Sequence, residues 1–112
     1  MAAVRLAILV SVSPINKGWG MAERSENVQK IQNSKKIVYF YNPNCSECRK
    51  LTPKIMGYNG TNGISVIAVD TNKLTLTKIR LLGLRVVPSV KTSNSGLVEI
   101  NSLKDYISHV RK

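Results

Sequence analysis

Six residues rich in β-branched and aromatic side chains, Lys36-Ile37-Val38-Tyr39-Phe40-Tyr41, pass through Asn42-Pro43-Asn44 into Cys45-Ser46-Glu47-Cys48. This junction constrains the chain more than any other stretch. The apolar run reads as a buried strand, and Asn-Pro-Asn ends it as a turn. A helix then opens at Cys45 and runs to about Met56, with Cys48, Leu51 and Ile55 on one core-facing stripe. Pro53 lies inside that helix and should kink it, because it lacks a donor N–H. The first thiol thus stands at a helix N-terminus, where unpaired N–H groups and the positive end of the dipole favour a thiolate. The second, one turn on, is placed to attack a mixed disulfide made by the first. Cys45 is the expected attacking thiol and Cys48 the resolving one. Arg49 and Lys50 add positive potential, and Glu47 opposes it.

Other uses of the pair fit less well. These are the only two cysteines in the sequence. A bridge across so small a loop would constrain little of the unfolded chain, whereas a structural disulfide framework uses several cysteines closing longer loops. A tetrahedral zinc site would need two more good ligands. The single histidine, His109, falls in the last expected helix and reads as a surface residue. No metal and no cofactor are expected.

At 112 residues there is room for one domain with a modest core. Glu23 to Ser34 suits a short amphipathic helix, with Val28 and Ile31 on one face. Beyond the Cys45 helix, Gly57 and Asn59-Gly60-Thr61-Asn62-Gly63 break the chain. Ile64 to Val69 is a second strand, and Asp70-Thr71-Asn72 caps a helix from Lys73 to Leu82, which Gly83 stops. Val86 to Val90 is a third strand interrupted by Pro88, and Asn94-Ser95-Gly96 turns into a fourth, Leu97 to Ile100. Ser102 then caps a final helix that carries Leu103, Tyr106, Ile107 and Val110 inward. The order from Lys36 is β-α-β-α-β-β-α: an α/β protein with a parallel first pair of strands and a closing hairpin.

The first residues differ from the rest. Residues 1–22 read as an N-terminal extension and 23–112 as the domain. Leu6 to Val12 is apolar but far shorter than the ~20 residues of a membrane-spanning helix. It reads equally as an extra strand or as an export element, with Met21 as an alternative start. Localisation stays open between cytoplasm and export or membrane tethering.

The formal charge of +11 is compatible with nucleic acid, an anionic membrane surface or acidic proteins as partners. The basic residues are spread along the chain, however, and Tyr39, Phe40 and Tyr41 sit in the expected buried strand. A single-strand stacking platform needs exposed aromatics among its charges. No specific nucleic acid is therefore expected, and a solvated basic surface is the plainer reading.

Cys45-Ser46-Glu47-Cys48 after a strand, with Pro53 in the same helix, resembles the thioredoxin superfamily. Gly83-Leu84-Arg85-Val86-Val87-Pro88 is similar to that family's second signature, which leads into a cis-proline facing the redox pair. The resemblance spans roughly Ile37 to Lys112. It implies a thioredoxin-like fold, a mixed sheet flanked by helices, and thiol–disulfide exchange on protein substrates bearing disulfides or dithiols. It also implies that Pro88 shapes a substrate groove, that Val87 offers backbone groups to an extended strand, and that a monomer works with an upstream redox partner. The chain departs from the family pattern too. Asn44 precedes Cys45, and Ser46-Glu47 fills the pair. Tyr39 stands where a buried acid is expected, and that acid's lysine partner falls on or near Val66. The alternative function is a binding or chaperone-like module that keeps the fold but works through its basic surface.

Overall fold

Strand Ile37–Tyr41 (β2) lies at the centre of a five-stranded sheet. Its side chains alternate between the two faces, and both faces are covered: Val38 and Phe40 on one, Tyr39 and Tyr41 on the other, none more than 2% exposed. That double burial is why the run is apolar throughout. The computed structural model describes residues 22–111; Leu6–Val12, with its two readings, lies outside the described residues.

The elements follow in order as β1 Ala22–Arg24, α1 Val28–Asn33, β2, α2 Ser46–Asn62, β3 Val66–Asp70, a 3-10 turn Thr71–Lys73, α3 Leu76–Leu82, β4 Ser89–Lys91, β5 Val98–Glu99 and α4 Leu103–Val110. The sheet order is β1-β3-β2-β4-β5. β3 is parallel to both β1 and β2, with Tyr39 opposite Ala68, and β4 is antiparallel to β2, with Tyr39 opposite Val90. β4 and β5 form the closing hairpin. The β-α-β-α-β-β-α order read from Lys36 onward therefore holds.

Two cores result, one on each face. Ile31, Val38, Phe40, Ile67, Val69 and Leu74 pack beneath α1 and α3. Tyr39, Tyr41, Cys48, Leu51, Ile55, Met56 and Tyr106 pack beneath α2 and α4. Each fully buried large apolar side chain contributes about 1.5–3 kcal/mol, so these two layers hold the sheet from both sides.

Several boundaries differ from those expected, each for a physical reason. The helix expected from Glu23 to Ser34 is confined to Val28–Asn33, where Asn27 Oδ1 accepts the Lys30 N–H at 2.9 Å. The residues before it pair with β3, and Ser25 N–H extends that ladder to the Ala68 carbonyl at 3.3 Å. Backbone pairing to a neighbouring strand overrides a weak local helical pattern. β1 straddles the boundary drawn between residues 22 and 23.

α2 does not stop at Gly57. A glycine in a helix costs only about 1 kcal/mol, and burial of the Met56 side chain offsets it. Asn59 Oδ1 accepts the Tyr106 hydroxyl at 2.7 Å, tying α2 to α4. The helix ends at Gly63, whose φ of 65° is left-handed, and the Ile64 N–H closes onto the Asn59 carbonyl. The next helix also starts later than expected. Asp70 caps the 3-10 turn, while Thr75 Oγ1 accepts the Lys78 N–H and opens α3.

The Tyr106–Asn59 bond carries a prediction. Burial pushes the Tyr106 hydroxyl up to about 12 from an ordinary value near 10. Between those values the unfolded chain has released a proton that the folded chain still holds. Stability from this group is therefore complete below pH ~10 and declines as pH rises toward ~12. Denaturant midpoints measured across that window should fall in the parent protein and fall less steeply in Tyr106→Phe.

Candidate active site

Asn42-Pro43-Asn44 delivers the chain from the C-terminal end of β2 to α2. Asn42 organises this turn: its Oδ1 accepts the Asn44 N–H at 2.8 Å, and its carbonyl accepts the Cys45 N–H at 3.0 Å. Cys45 is the N-cap of α2, with extended backbone (φ −85°, ψ 124°), and its Sγ accepts the Cys48 N–H at 3.4 Å. A thiol thus occupies the capping position usually taken by a hydroxyl or carboxylate oxygen. Cys45 is partly exposed and Cys48 is buried, so only the first is open to a macromolecular disulfide.

The two thiols are biased in opposite directions. Partial burial works against ionisation of Cys45, and Glu47 adds a small repulsion. The N–H groups of Cys48 and Glu47 and the Cys48 thiol outweigh both, and hold Cys45 below an ordinary thiol. Burial pushes the Cys48 thiol up. The structure so divides an accessible, more acidic thiol from a buried, less acidic thiol one helical turn away. A spectroscopic titration of thiolate absorbance should place the Cys45 midpoint below the ~8.5 of a free cysteine. A midpoint at or above that value would contradict the capping argument.

The segment before β4 closes the site. The Val87–Pro88 peptide bond is cis, and the Val87 carbonyl oxygen lies 4.0 Å from Cys45 Sγ. Ser89 Oγ donates to the Val86 carbonyl at 2.6 Å, and the Pro88 carbonyl accepts the Ile100 N–H, which anchors the segment to the start of β4 and the end of β5. Among the described residues nothing pairs with the Val87 N–H. Cys45, Cys48, Val87 and Pro88 are therefore brought together at one end of the sheet.

Below Cys48, Tyr39 fills the position where an acid was expected. Its hydroxyl bonds Thr52 Oγ1 at 2.8 Å, and both groups are buried. Burial holds this phenol protonated far above its usual range. Tyr39 also stacks on Tyr41, with ring centroids 5.8 Å apart. Opposite Tyr39 on β3 is Ala68, while Val66 lies two residues away on the same face, so an apolar residue takes the lysine's place. Thr52 was not singled out from the sequence, although its spacing of four residues from Cys48 puts it on the same helical stripe. His109 is occupied on its own helix: Nδ1 lies 2.9 Å from the Asp105 carbonyl oxygen and 3.6 Å from Asp105 Oδ1. Among the described residues no group of three histidine, cysteine or acidic side chains is arranged to hold a metal.

A mixed sheet between two helical layers, with a Cys-x-x-Cys capping a helix beside a cis-proline, defines a three-layer α/β architecture. No protein-family model matches the sequence, and no curated protein does. Solved structures do. Thioredoxin f from spinach chloroplast (short form) matches with a TM-score of 0.63 and 20% identity over 82% of this chain and 92% of that one. A thioredoxin of Malassezia sympodialis gives 0.63 at 11% identity over 80% and 88%. The thioredoxin pre-protein of Schistosoma mansoni gives 0.60 at 15% identity over 80% and 91%. The chain has a thioredoxin-like fold.

Proposed function

We propose that the protein is a thiol–disulfide oxidoreductase acting on protein disulfides through Cys45 and Cys48. The observation that carries this reading is the pairing of an accessible, thiolate-favouring Cys45 with a buried Cys48 whose N–H points at the Cys45 sulfur. The fold shared with thioredoxins supports it.

In the reducing direction, the Cys45 thiolate attacks one sulfur of a substrate disulfide. A mixed disulfide forms and the other substrate sulfur leaves as a thiolate, which takes a proton. Cys48 then loses its proton and attacks Cys45 Sγ, forming the Cys45–Cys48 disulfide and releasing the second substrate thiol. Two electrons pass to the substrate, and an external dithiol restores the pair. Val87, with its N–H unpaired among the described residues and its carbonyl beside Cys45, is the proposed backbone partner for an extended substrate strand, and Pro88 shapes that groove. Substrate proteins and an upstream dithiol are the proposed partners of a monomeric enzyme.

The test is insulin reduction with dithiothreitol. The protein should accelerate precipitation of the insulin B chain well beyond dithiothreitol alone, and no acceleration would remove the reading. The assay also tests the division into an extension (residues 1–22) and a redox domain (23–112). A chain starting at Met21, which keeps β1, should match the full chain.

A further inference from the structure

Beside Val87, on the α1 and α3 side of the sheet, Thr71, Ile79, Leu84, Arg85, Val86 and Val87 line a hollow of ≈160 Å³. A cavity of about 150 Å³ walled by aliphatic side chains is large enough for benzene, so this one has room for a single apolar side chain. Val86 is 45% exposed on its rim, and its carbonyl accepts the Ser89 hydroxyl at 2.6 Å. Thr71 Oγ1 donates to the Tyr41 carbonyl at 3.1 Å, which fixes the hollow's floor to the end of β2, next to the turn that carries Cys45.

The hollow and the thiols lie on opposite faces of the sheet. Cys45 packs with the α2 layer, while Ile79 and Leu84 pack with the other, and Val87 touches both. Successive side chains of an extended strand point to opposite faces. A strand paired with Val87 that directs a cysteine toward Cys45 therefore directs the adjacent residue toward this hollow. Arg85 lines the hollow and also a second one of ≈280 Å³ on the other side of Val86, bordered by Glu99. Arg85 is exposed, and among the described residues no carboxylate forms an ion pair with it. Lys73 and Arg80, both exposed, lie on the adjoining 3-10 turn and α3. A strand entering here meets the Arg85 guanidinium beside an apolar hollow, with Glu99 set back on the second hollow.

The geometry points to a substrate-selecting subsite: the Ile79–Leu84–Val86 hollow seats an apolar side chain adjacent to the target cysteine, and Arg85 meets an acidic residue of the same protein segment. This rests on the redox reading above and names the substrate class it selects. Apolar burial supplies the preference for the neighbouring residue. The charge acts chiefly on the rate of encounter, and salt weakens it.

The probes are synthetic peptides with one cysteine held as a disulfide to 2-mercaptoethanol, carrying leucine or serine beside it and glutamates or lysines beyond. Rates with dithiothreitol as reductant are divided, for each protein, by the rate on hydroxyethyl disulfide, which has no side chain to seat. The leucine–glutamate peptide should exceed the serine–lysine peptide by roughly tenfold or more at low salt. Val86→Ser should shrink the leucine preference, and Arg85→Glu should invert the charge preference while the leucine preference remains. Equal rates for all peptides, or preferences untouched by these substitutions, would overturn the subsite while hydroxyethyl disulfide turnover leaves the redox reading standing. Failure of the parent protein to reduce hydroxyethyl disulfide at all would overturn both.

Discussion

Cys45→Ser is expected to reduce insulin no faster than dithiothreitol alone. The effect is complete because the proposed nucleophile has no substitute: Cys48 is 1% exposed, in the buried core layer that also holds Tyr39, Leu51 and Ile55. A serine at position 45 still caps α2 through its hydroxyl, since serine is a preferred N-cap residue. Thermal unfolding should therefore shift little while turnover disappears. That separation matters, because a loss of activity accompanied by unfolding would say nothing about chemistry. Residual activity in folded Cys45→Ser would place the nucleophile elsewhere.

The largest stability effect is expected at Tyr39. Tyr39→Ala removes a fully buried ring from between β2 and α2, leaves a cavity under Cys48, and strands the Thr52 hydroxyl. Truncating a buried aromatic residue costs about 3–5 kcal/mol, a large part of the 5–15 kcal/mol that a small domain has in total. Tyr39→Phe keeps the ring and removes only the hydroxyl. It should cost roughly 1–3 kcal/mol, the penalty for an unpaired buried polar group. Urea unfolding of the two variants measures both, and equal losses would mean that the hydroxyl pair, rather than the ring, carries the stability. The site adds a second consequence. Tyr39 is a titratable side chain that β2 places in the same core layer as Cys48, and burial keeps it protonated. Cys48 thus has a neutral hydroxyl pair below it instead of a carboxylate, and its proton must leave without a charged acceptor on that strand.

The parts of this architecture that were legible in the sequence are those fixed by local chemistry and confirmed by burial. Ile37–Tyr41 announced a strand covered on both sides because no polar residue interrupts it. Cys48, Leu51 and Ile55 marked the inward stripe of α2, and all three are buried. Ser102 marked the start of α4, where its Oγ accepts the Asp105 N–H at 3.1 Å. The features that were not legible depend on partners distant in sequence. Ala22–Arg24 becomes a strand only because β3 offers an open edge. α2 continues through Gly57 and Gly60 because Asn59 meets Tyr106, 47 residues away. The candidate site divides in the same way. The cysteine pair was visible as a motif, but the Tyr39–Thr52 bond and the hollow beside Val87 join residues from separate elements. Spacing along the chain shows such groupings only after the sheet has brought them together.

If Cys45 attacks and Cys48 resolves, trapping the mixed disulfide reveals it most directly. Cys48→Ser incubated with insulin and analysed by non-reducing electrophoresis and peptide mass mapping should accumulate a mixed disulfide, with the insulin peptide attached at Cys45. Cys45→Ser treated in the same way should trap nothing. Adducts on Cys48 in the Cys45→Ser protein, together with none on Cys45 in the Cys48→Ser protein, would contradict the account.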